Sequence, residues 1–263
     1  MDFEIIDFHT HPFLSPGTNI CSHQDYCPMD PGRTRSEMET LGVAKICGSV
    51  IGLPQGVPAE ADIWERLLAC NDEALRLQAL YGGFYIPGFH VHPGYVRESC
   101  AEIERMHKLG VRLIGELVPY MHGWTDYASP AFSEILDTAR QYSMIVSFHS
   151  MNEDAMDQMV AQHPDVIFVA AHPGEYGEFM RHMERMKTSE NYYLDLSGYG
   201  IFRYGMLRHA IDTFGPERFL FGSDFPTCNT AMYIGGVLLD PRITDREKEL
   251  IFFQNAKRLL GLA

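Results

Sequence analysis

Two histidines separated by one residue, His9 and His11, follow a short apolar run near the start of the chain. Alternate side chains of an extended strand point to the same side, so both imidazoles would face one way and form half of a divalent-metal site. A chance His-x-His pair in a surface turn is the alternative. His149 and Asp224 end two later apolar runs, which favours the metal interpretation. Nitrogen and oxygen ligands without thiolate suit zinc, and also manganese, iron or nickel.

Eight apolar runs could position these residues, and most are rich in β-branched or aromatic side chains. The runs are Phe3–Phe8, Ala44–Leu53, Phe84–Phe89, Val111–Leu117, Met144–Phe148, Val166–Ala170, Tyr192–Leu196 and Phe219–Gly222. Near-continuous apolarity is typical of strands buried on both faces of a parallel sheet. Helical periodicity is found at Ala59–Tyr81, Glu98–Leu109, Pro130–Tyr142, Asn152–Gln162, Glu175–Met186, Phe202–Phe214 and Thr244–Leu260. Thr244 and Glu247 predict a capping box for the last helix, and Gly261 predicts its end.

This alternation over 263 residues predicts the α/β class and a single (β/α)8 barrel domain spanning 1–263. An open doubly wound sheet is the alternative, but no glycine-rich phosphate turn follows the first run. The carboxyl ends of barrel strands carry the catalytic residues. We therefore expect the ligand-type residues to converge at one rim. The Pro/Gly-rich segment Pro12–Arg35 is expected to be a long loop that folds over them.

Charge and composition exclude several classes of function. The 35 acidic and 21 basic residues give a net charge of −14, which argues against nucleic-acid partners. No apolar run is long enough to span a membrane, and the first residues lack the features of a signal peptide. Six cysteines in so long a chain suggest reduced thiols and a cytoplasmic protein. Cys21, His23 and Cys27 could hold a structural zinc ion, but no fourth ligand is obvious, so free thiols are the simpler interpretation.

The motifs D-x-H-x-H, S-F-H, H-P-G and G-S-D-F-P, which contain Asp7, His9, His11, His149, His172 and Asp224, together resemble the amidohydrolase superfamily. The similarity is greatest to the amidohydrolase-2 branch, which includes aminocarboxymuconate semialdehyde decarboxylase, and it runs nearly end to end. The resemblance implies one divalent metal ion, with zinc the first expectation, bound by His9, His11, His149 and Asp224. It also implies that Asp224 accepts the proton of a metal-bound water. His172 would lie beside the metal and polarise a substrate oxygen or shuttle a proton.

Glu116 lies in the fourth apolar run, where superfamily members with two metals often carry a carboxylated lysine. Three interpretations of Glu116 stay open. It could bridge a second metal, contact a ligand residue or the substrate, or form a salt bridge at the rim. An unpaired acid buried in an apolar strand is costly, so an idle role is not expected. We take one metal as the expectation and Glu116 as a candidate ligand.

Further residues on the expected catalytic side are candidates for substrate contact. They are Arg33, His92, His122, Trp124 and Tyr199. The structural alternative for Arg33 is a surface ion pair. For His92 and His122 it is a hydrogen-bonded histidine in the core or a loop, and for Trp124 and Tyr199 it is core packing. Asp7 is expected to hydrogen-bond a ligand histidine. Four histidines in helical stretches or at their ends are expected at the surface, namely His107, His163, His182 and His209.

These residues favour a metal-dependent hydrolase, in which metal-activated water attacks an amide, lactone or ester carbon of a small molecule. The alternative is a non-oxidative decarboxylase or hydratase acting on an unsaturated or aromatic carboxylate, since the same ligand set serves those reactions in the branch that the chain resembles. A non-catalytic ligand-binding protein is a lesser alternative. A small-molecule substrate is expected in either enzyme, and a homodimer is an expectation at the level of the family.

Overall fold

Eight parallel strands form one sheet in sequence order, and each neighbouring pair in that order is hydrogen-bonded. The computed structural model describes residues 3–16, 29–200 and 203–263. Within them the strands are β1 Ile5–Asp7, β2 Val43–Ser49, β3 Tyr85–Phe89, β4 Leu113–Leu117, β5 Ile145–His149, β6 Ile167–Ala171, β7 Tyr192–Asp195 and β8 Phe219–Leu220. The strands are nearly all buried, as their continuous apolarity predicts.

The sheet closes through residues that follow β1 and β8. The Phe8 amide donates to the Phe221 carbonyl at 2.8 Å, and the Asp224 amide donates to the His9 carbonyl at 2.8 Å. Thr10 also forms a parallel bridge with Phe225. The predicted (β/α)8 barrel is therefore confirmed, and its closure places Asp224 beside the first histidine pair.

The main helices lie between the strands and after the last one. They are α1 Pro31–Thr40, α2 Ile63–Tyr81, α3 Val96–Lys108, α4 Pro130–Gln141, α5 Glu153–Gln162, α6 Tyr176–Thr188, α7 Met206–Phe214, α8 Thr230–Leu238, α9 Asp245–Glu249 and α10 Asn255–Leu260. None of the helices in the described ranges is long and apolar enough to cross a membrane.

The prediction of an unbroken loop over Pro12–Arg35 is wrong at its end, because α1 begins at Pro31. The Asp30 carboxylate accepts from the Arg33 amide at 2.8 Å and caps the helix, and proline suits its first position. Asp62 caps α2 in the same way, which starts that helix four residues later than its periodicity predicts.

The last predicted helix is one helical segment with a π-helical turn, Leu250–Gln254, between α9 and α10. Its predicted ends are confirmed. Thr244 and Glu247 form the reciprocal capping box, and Gly261 ends the segment in the left-handed region with φ 68°. Leu259, near its end, belongs to a buried apolar cluster with Ile145. Ile145 shares a face of β5 with His149, so this cluster lies below the polar site on the same side of the sheet.

Candidate metal centre

His9 and His11 follow β1, and each is only 2% exposed. Their Nε2 atoms lie 3.2 Å apart. Glu116 Oε2 is 3.2 Å from the first of these nitrogens and 3.1 Å from the second. Asp224 Oδ1 is 3.6 Å from the first and 3.5 Å from the second. Ligands about 2.05 Å from a tetrahedral metal ion lie about 3.3 Å from one another, so His9, His11 and Glu116 fit one divalent cation, and Asp224 lies close to both imidazoles.

The tautomers of both imidazoles agree with metal binding. His11 Nδ1 lies 3.1 Å from the Ser49 carbonyl, which only accepts, so Nδ1 carries the proton. His9 Nδ1 lies 2.9 Å from Asp195 Oδ2. Burial opposes ionisation of Asp195, but the facing His9 ring holds the pKa of the carboxyl below its ordinary value. Asp195 therefore accepts from His9 Nδ1, and His11 Nε2 presents a lone pair to the proposed ion. Burial opposes the charged His9 ring, but the carboxylates of Glu116 and Asp195 raise its pKa well above the ordinary value, so a cation would displace the proton on Nε2.

Glu116 reaches the centre because β4 is irregular. The pairing register of β4 with β5 shifts between Ile114 and Leu117. Gly115 takes φ 90° at this shift, and a Cβ there would lie 2.1 Å from the Ser147 carbonyl oxygen. Only glycine fits so close an approach, and the shift turns Glu116 towards the histidines.

The Glu116 carboxylate lies between two groups of donors. Oε2 faces His9 and His11, whereas Oε1 lies 3.0 Å from His149 Nδ1 and 3.6 Å from His172 Nε2. Burial raises the cost of its charge, but the surrounding imidazoles hold its pKa well below the ordinary value. The side chain is 3% exposed, which excludes a rim salt bridge. His149 is not brought directly to the first pair, since Glu116 lies between them.

Asp195 and Ser197 are functional candidates that the sequence analysis missed. The Ser197 hydroxyl donates to Asp195 Oδ1 at 2.5 Å and lies 3.0 Å from His172 Nδ1. With its proton engaged, the hydroxyl accepts from Nδ1, which leaves a lone pair on His172 Nε2. Burial lowers the pKa of His172, which favours this neutral ring. The available signal was an acid ending a buried strand, in the segment Tyr192–Ser197.

Asp7 hydrogen-bonds a ligand histidine as predicted, but at the backbone of His9 and not at its ring. Its carboxylate accepts from the Ser223 amide at 2.9 Å and from the Ser223 hydroxyl at 2.5 Å. Its contact with His9 is to the backbone amide. Burial raises the pKa of Asp7 to about 7. Asp7 thus fixes the turn before Asp224, whereas Asp195 contacts the His9 imidazole.

Two site residues adopt backbone conformations that are uncommon for side chains with a Cβ. His172 has φ 69° and Asp224 has φ 61°. Such left-handed residues are strained and cluster at functional sites. Gly198 makes room for the first of them, because a Cβ on it would lie 2.3 Å from His172 Nδ1.

A cavity of about 790 Å³ lies above the strand ends, and Asp224 is the one of the four donors among its described lining residues. His149, His172 and Asp224 contribute to its wall, as does the predicted contact Tyr199. This volume suits a small organic molecule. His11 and Glu116 line a smaller hollow of about 210 Å³ that shares His172 and Asp224 with this cavity.

The other predicted contact residues are not among those lining this cavity. Arg33 lies on α1, with Nε 2.7 Å from Glu37. His92 Nε2 lies 2.9 Å from the His122 carbonyl oxygen, and the Trp124 ring packs against Phe132.

Two of the four histidines expected at the surface are buried. His182 is fully enclosed, with Nδ1 2.7 Å from the Tyr192 hydroxyl, and His163 is 2.8 Å from the Ser133 hydroxyl. Hydrogen bonding to neighbouring elements offsets the cost of enclosing the rings. His107 and His209 are exposed, as expected. The proposed Cys21, His23 and Cys27 site lies outside the described residues.

A closed barrel with buried imidazoles and carboxylates at its strand ends defines a barrel enzyme with the ligand chemistry of a divalent-metal centre. The family model for amidohydrolases matches residues 6–262, and the chain belongs to this family. No curated protein sequence matches the chain.

Solved structures share the fold over nearly their whole length. A 2,6-dihydroxybenzoate decarboxylase in complex with 2,6-dihydroxybenzoate has 17% identity and a TM-score of 0.78, with 99% of this chain and 100% of the other covered. The 2,6-dihydroxybenzoate decarboxylase from Rhizobium has 16% identity and a TM-score of 0.76, with 98% and 99% covered. A 5-carboxyvanillate decarboxylase from Novosphingobium aromaticivorans, complexed with manganese, has 15% identity and a TM-score of 0.74, with 99% and 97% covered.

Proposed function

We propose that the protein is a metal-dependent, non-oxidative decarboxylase of a small aromatic or unsaturated carboxylate. The observation that carries the proposal is the donor cluster of His9, His11, Glu116 and Asp224, of which Asp224 reaches the wall of an organic-sized cavity. The fold shared with arylcarboxylate decarboxylases supports lyase chemistry over the hydrolysis that the sequence analysis placed first. We propose one divalent ion, either manganese or zinc, at these four donors.

The position of each residue in the site indicates its role in the proposed reaction. A divalent cation at the four donors would supply positive charge for the substrate carboxylate and stabilise charge that develops on neighbouring oxygens. Asp224 and His172 both line the cavity, so they are the groups placed to hold or deliver the proton that replaces carbon dioxide on the substrate carbon. Asp195 and Ser197 keep the His9 and His172 rings in their working tautomers.

Release of carbon dioxide tests this proposal directly. Protein loaded with manganese should release it from 2,6-dihydroxybenzoate or a related aromatic acid, and chelation should stop the release. Asp224→Asn should lower the rate at least about a hundredfold, while circular dichroism shows the fold retained. If no aromatic or unsaturated acid loses carbon dioxide with any divalent metal, the proposal is wrong.

Hydrolysis of an amide, lactone or ester is the second candidate, and a specific feature favours it. Glu116 presents one oxygen to His9 and His11 and the other to His149 and His172. A carboxylate shared in this way suits two metal ions, an arrangement that serves hydrolysis in several enzyme classes. Two metal equivalents per chain, with turnover of a lactone or ester panel and no carbon dioxide release, would select this function.

A further inference from the structure

The wall of the cavity carries carboxylates but neither lysine nor arginine among its described residues. Its acidic residues are Glu175, Glu178 and Asp224, and His149 and His172 contribute imidazoles. The residues outside the described ranges, 1–2, 17–28 and 201–202, contain neither lysine nor arginine in their sequence.

Arg203 is near the rim but is engaged by one of these acids. Its guanidinium pairs with Glu175, and it lines two neighbouring hollows instead of the cavity itself. Arg33, predicted from sequence to clamp a substrate carboxylate, pairs with Glu37 on α1. A cation bound at the four donors would therefore be the permanent positive charge that the described site offers to a substrate.

Three tyrosines give the same wall an aromatic character. Tyr120, Tyr199 and Tyr233 all line the cavity, and Tyr120 packs its ring 5.2 Å from that of His149. The Tyr233 hydroxyl donates to the Gly198 carbonyl at 2.8 Å, which satisfies its polar end. Aromatic walls of this kind suit a flat ring.

We propose that the substrate carries a single anionic group, which is held at the cation, on an uncharged aromatic body. A second carboxylate on that body would lie near Glu178 and the Arg203-paired Glu175, with no lysine or arginine among the described lining residues to pair with it, so such a substrate would bind less well. The identity of the lost group rests on the proposed function, but the charge selectivity rests on the cavity wall alone. The inference favours monoanionic acids such as 2,6-dihydroxybenzoate over dianionic acids such as 5-carboxyvanillate.

Binding without turnover separates charge selectivity from catalysis. With the manganese-loaded protein, calorimetry should compare 2-nitroresorcinol with 3,5-dihydroxy-4-nitrobenzoate, which differ by one ring carboxylate. We expect the carboxylate to weaken binding by about tenfold or more. The kcat/KM values of 2,6-dihydroxybenzoate and 2,6-dihydroxyterephthalate should differ in the same direction. If neither acid is turned over, the binding ratio still decides the charge selectivity, independently of the decarboxylase proposal.

A charge placed on the wall provides the matched test. Thr227 lines the cavity and its side chain is exposed. Thr227→Lys should reduce the binding ratio of the nitro pair at least about threefold, whereas Thr227→Met, of similar length without the charge, should leave the ratio unchanged. Equal binding of the two nitro compounds by the wild type, or the same ratio in both variants, would overturn the inference.

Discussion

At the residue scale, the Asp195 carboxylate orients two imidazoles, those of His9 and His172, which contact different oxygens of Glu116. Asp195 contacts His9 directly and His172 through the Ser197 hydroxyl. Hydrogen bonds to the outer nitrogen of a ligand histidine fix its tautomer and increase its basicity. The chemistry of the centre therefore depends on a residue that would not itself touch the ion.

Replacing Asp195 by Asn should weaken divalent-metal binding by about 10- to 100-fold. The amide can donate to His9 Nδ1, which favours the tautomer with its proton on Nε2, where the ion would bind. Competition against a chromophoric chelator measures the change. Ser197→Ala is the comparison variant: it removes the hydroxyl that lies 2.9 Å from His9 Nδ1 and 3.0 Å from His172 Nδ1 but leaves the Asp195–His9 contact, so its metal affinity should fall less than that of Asp195→Asn. Equal metal affinities for Asp195→Asn and wild type would contradict this role.

Replacing Gly198 by Ala should lower turnover by about tenfold or more while metal content stays unchanged. The added Cβ would lie 2.3 Å from His172 Nδ1, so the ring must move. Gly177→Ala, where a Cβ meets nothing within 4 Å, is the control and should keep full activity. Steady-state kinetics with metal analysis decides the matter, and full activity in Gly198→Ala would show that the His172 position is not needed.

At the element scale, the strand ends determine which residues meet, and their irregularities explain what sequence reasoning missed. The alternation of apolar runs and helices predicted the barrel, and the period of two predicted that His9 and His11 act together. The shift in β4 that brings Glu116 to the centre has no periodic signal, since it depends on contact between Gly115 and the Ser147 backbone of the next strand. Pairing of Asp195 with His9, 186 positions apart, likewise appears only after the barrel closes.

Two histidines after β3 and β4, His90 and His122, are enclosed beside the proposed metal site. Burial lowers the pKa of His90 to about 4 and that of His122 to about 3. His90 Nε2 lies 2.8 Å from the Val50 carbonyl oxygen, so the neutral ring donates there. Both rings are therefore uncharged packing elements near pH 7.

This burial makes the stability of the metal-free protein depend on pH. As pH falls from about 6.5 to about 4, His90 becomes protonated in the unfolded chain but stays mostly neutral in the folded chain. The free energy of unfolding should fall by about 3 kcal/mol from this group. Urea unfolding at several pH values tests it. His90→Gln should give a flatter profile, with His209→Gln as an exposed control. Parallel profiles for wild type and His90→Gln would contradict the prediction.

At the scale of the whole molecule, the net charge is −14 and the cavity wall carries carboxylates, so a bound cation would be needed to attract an anionic substrate. A divalent ion reverses the local field at the strand ends, so an anionic substrate is attracted there. The sequence could predict the barrel, the histidine pair and Asp224 from types and spacing. It could not predict that Glu116 contacts two groups of histidines, or which charges line the cavity, because both depend on residues from separate strands and loops.

The metal centre built on Glu116 is the central claim, and anomalous diffraction tests it most directly. Crystals of the protein loaded with manganese should show, in data collected above the manganese absorption edge, one peak within about 2.3 Å of His9 Nε2, His11 Nε2, Glu116 Oε2 and Asp224 Oδ1. The absence of a peak at these four donors at saturating manganese, or a peak bound only by other residues, would contradict the account.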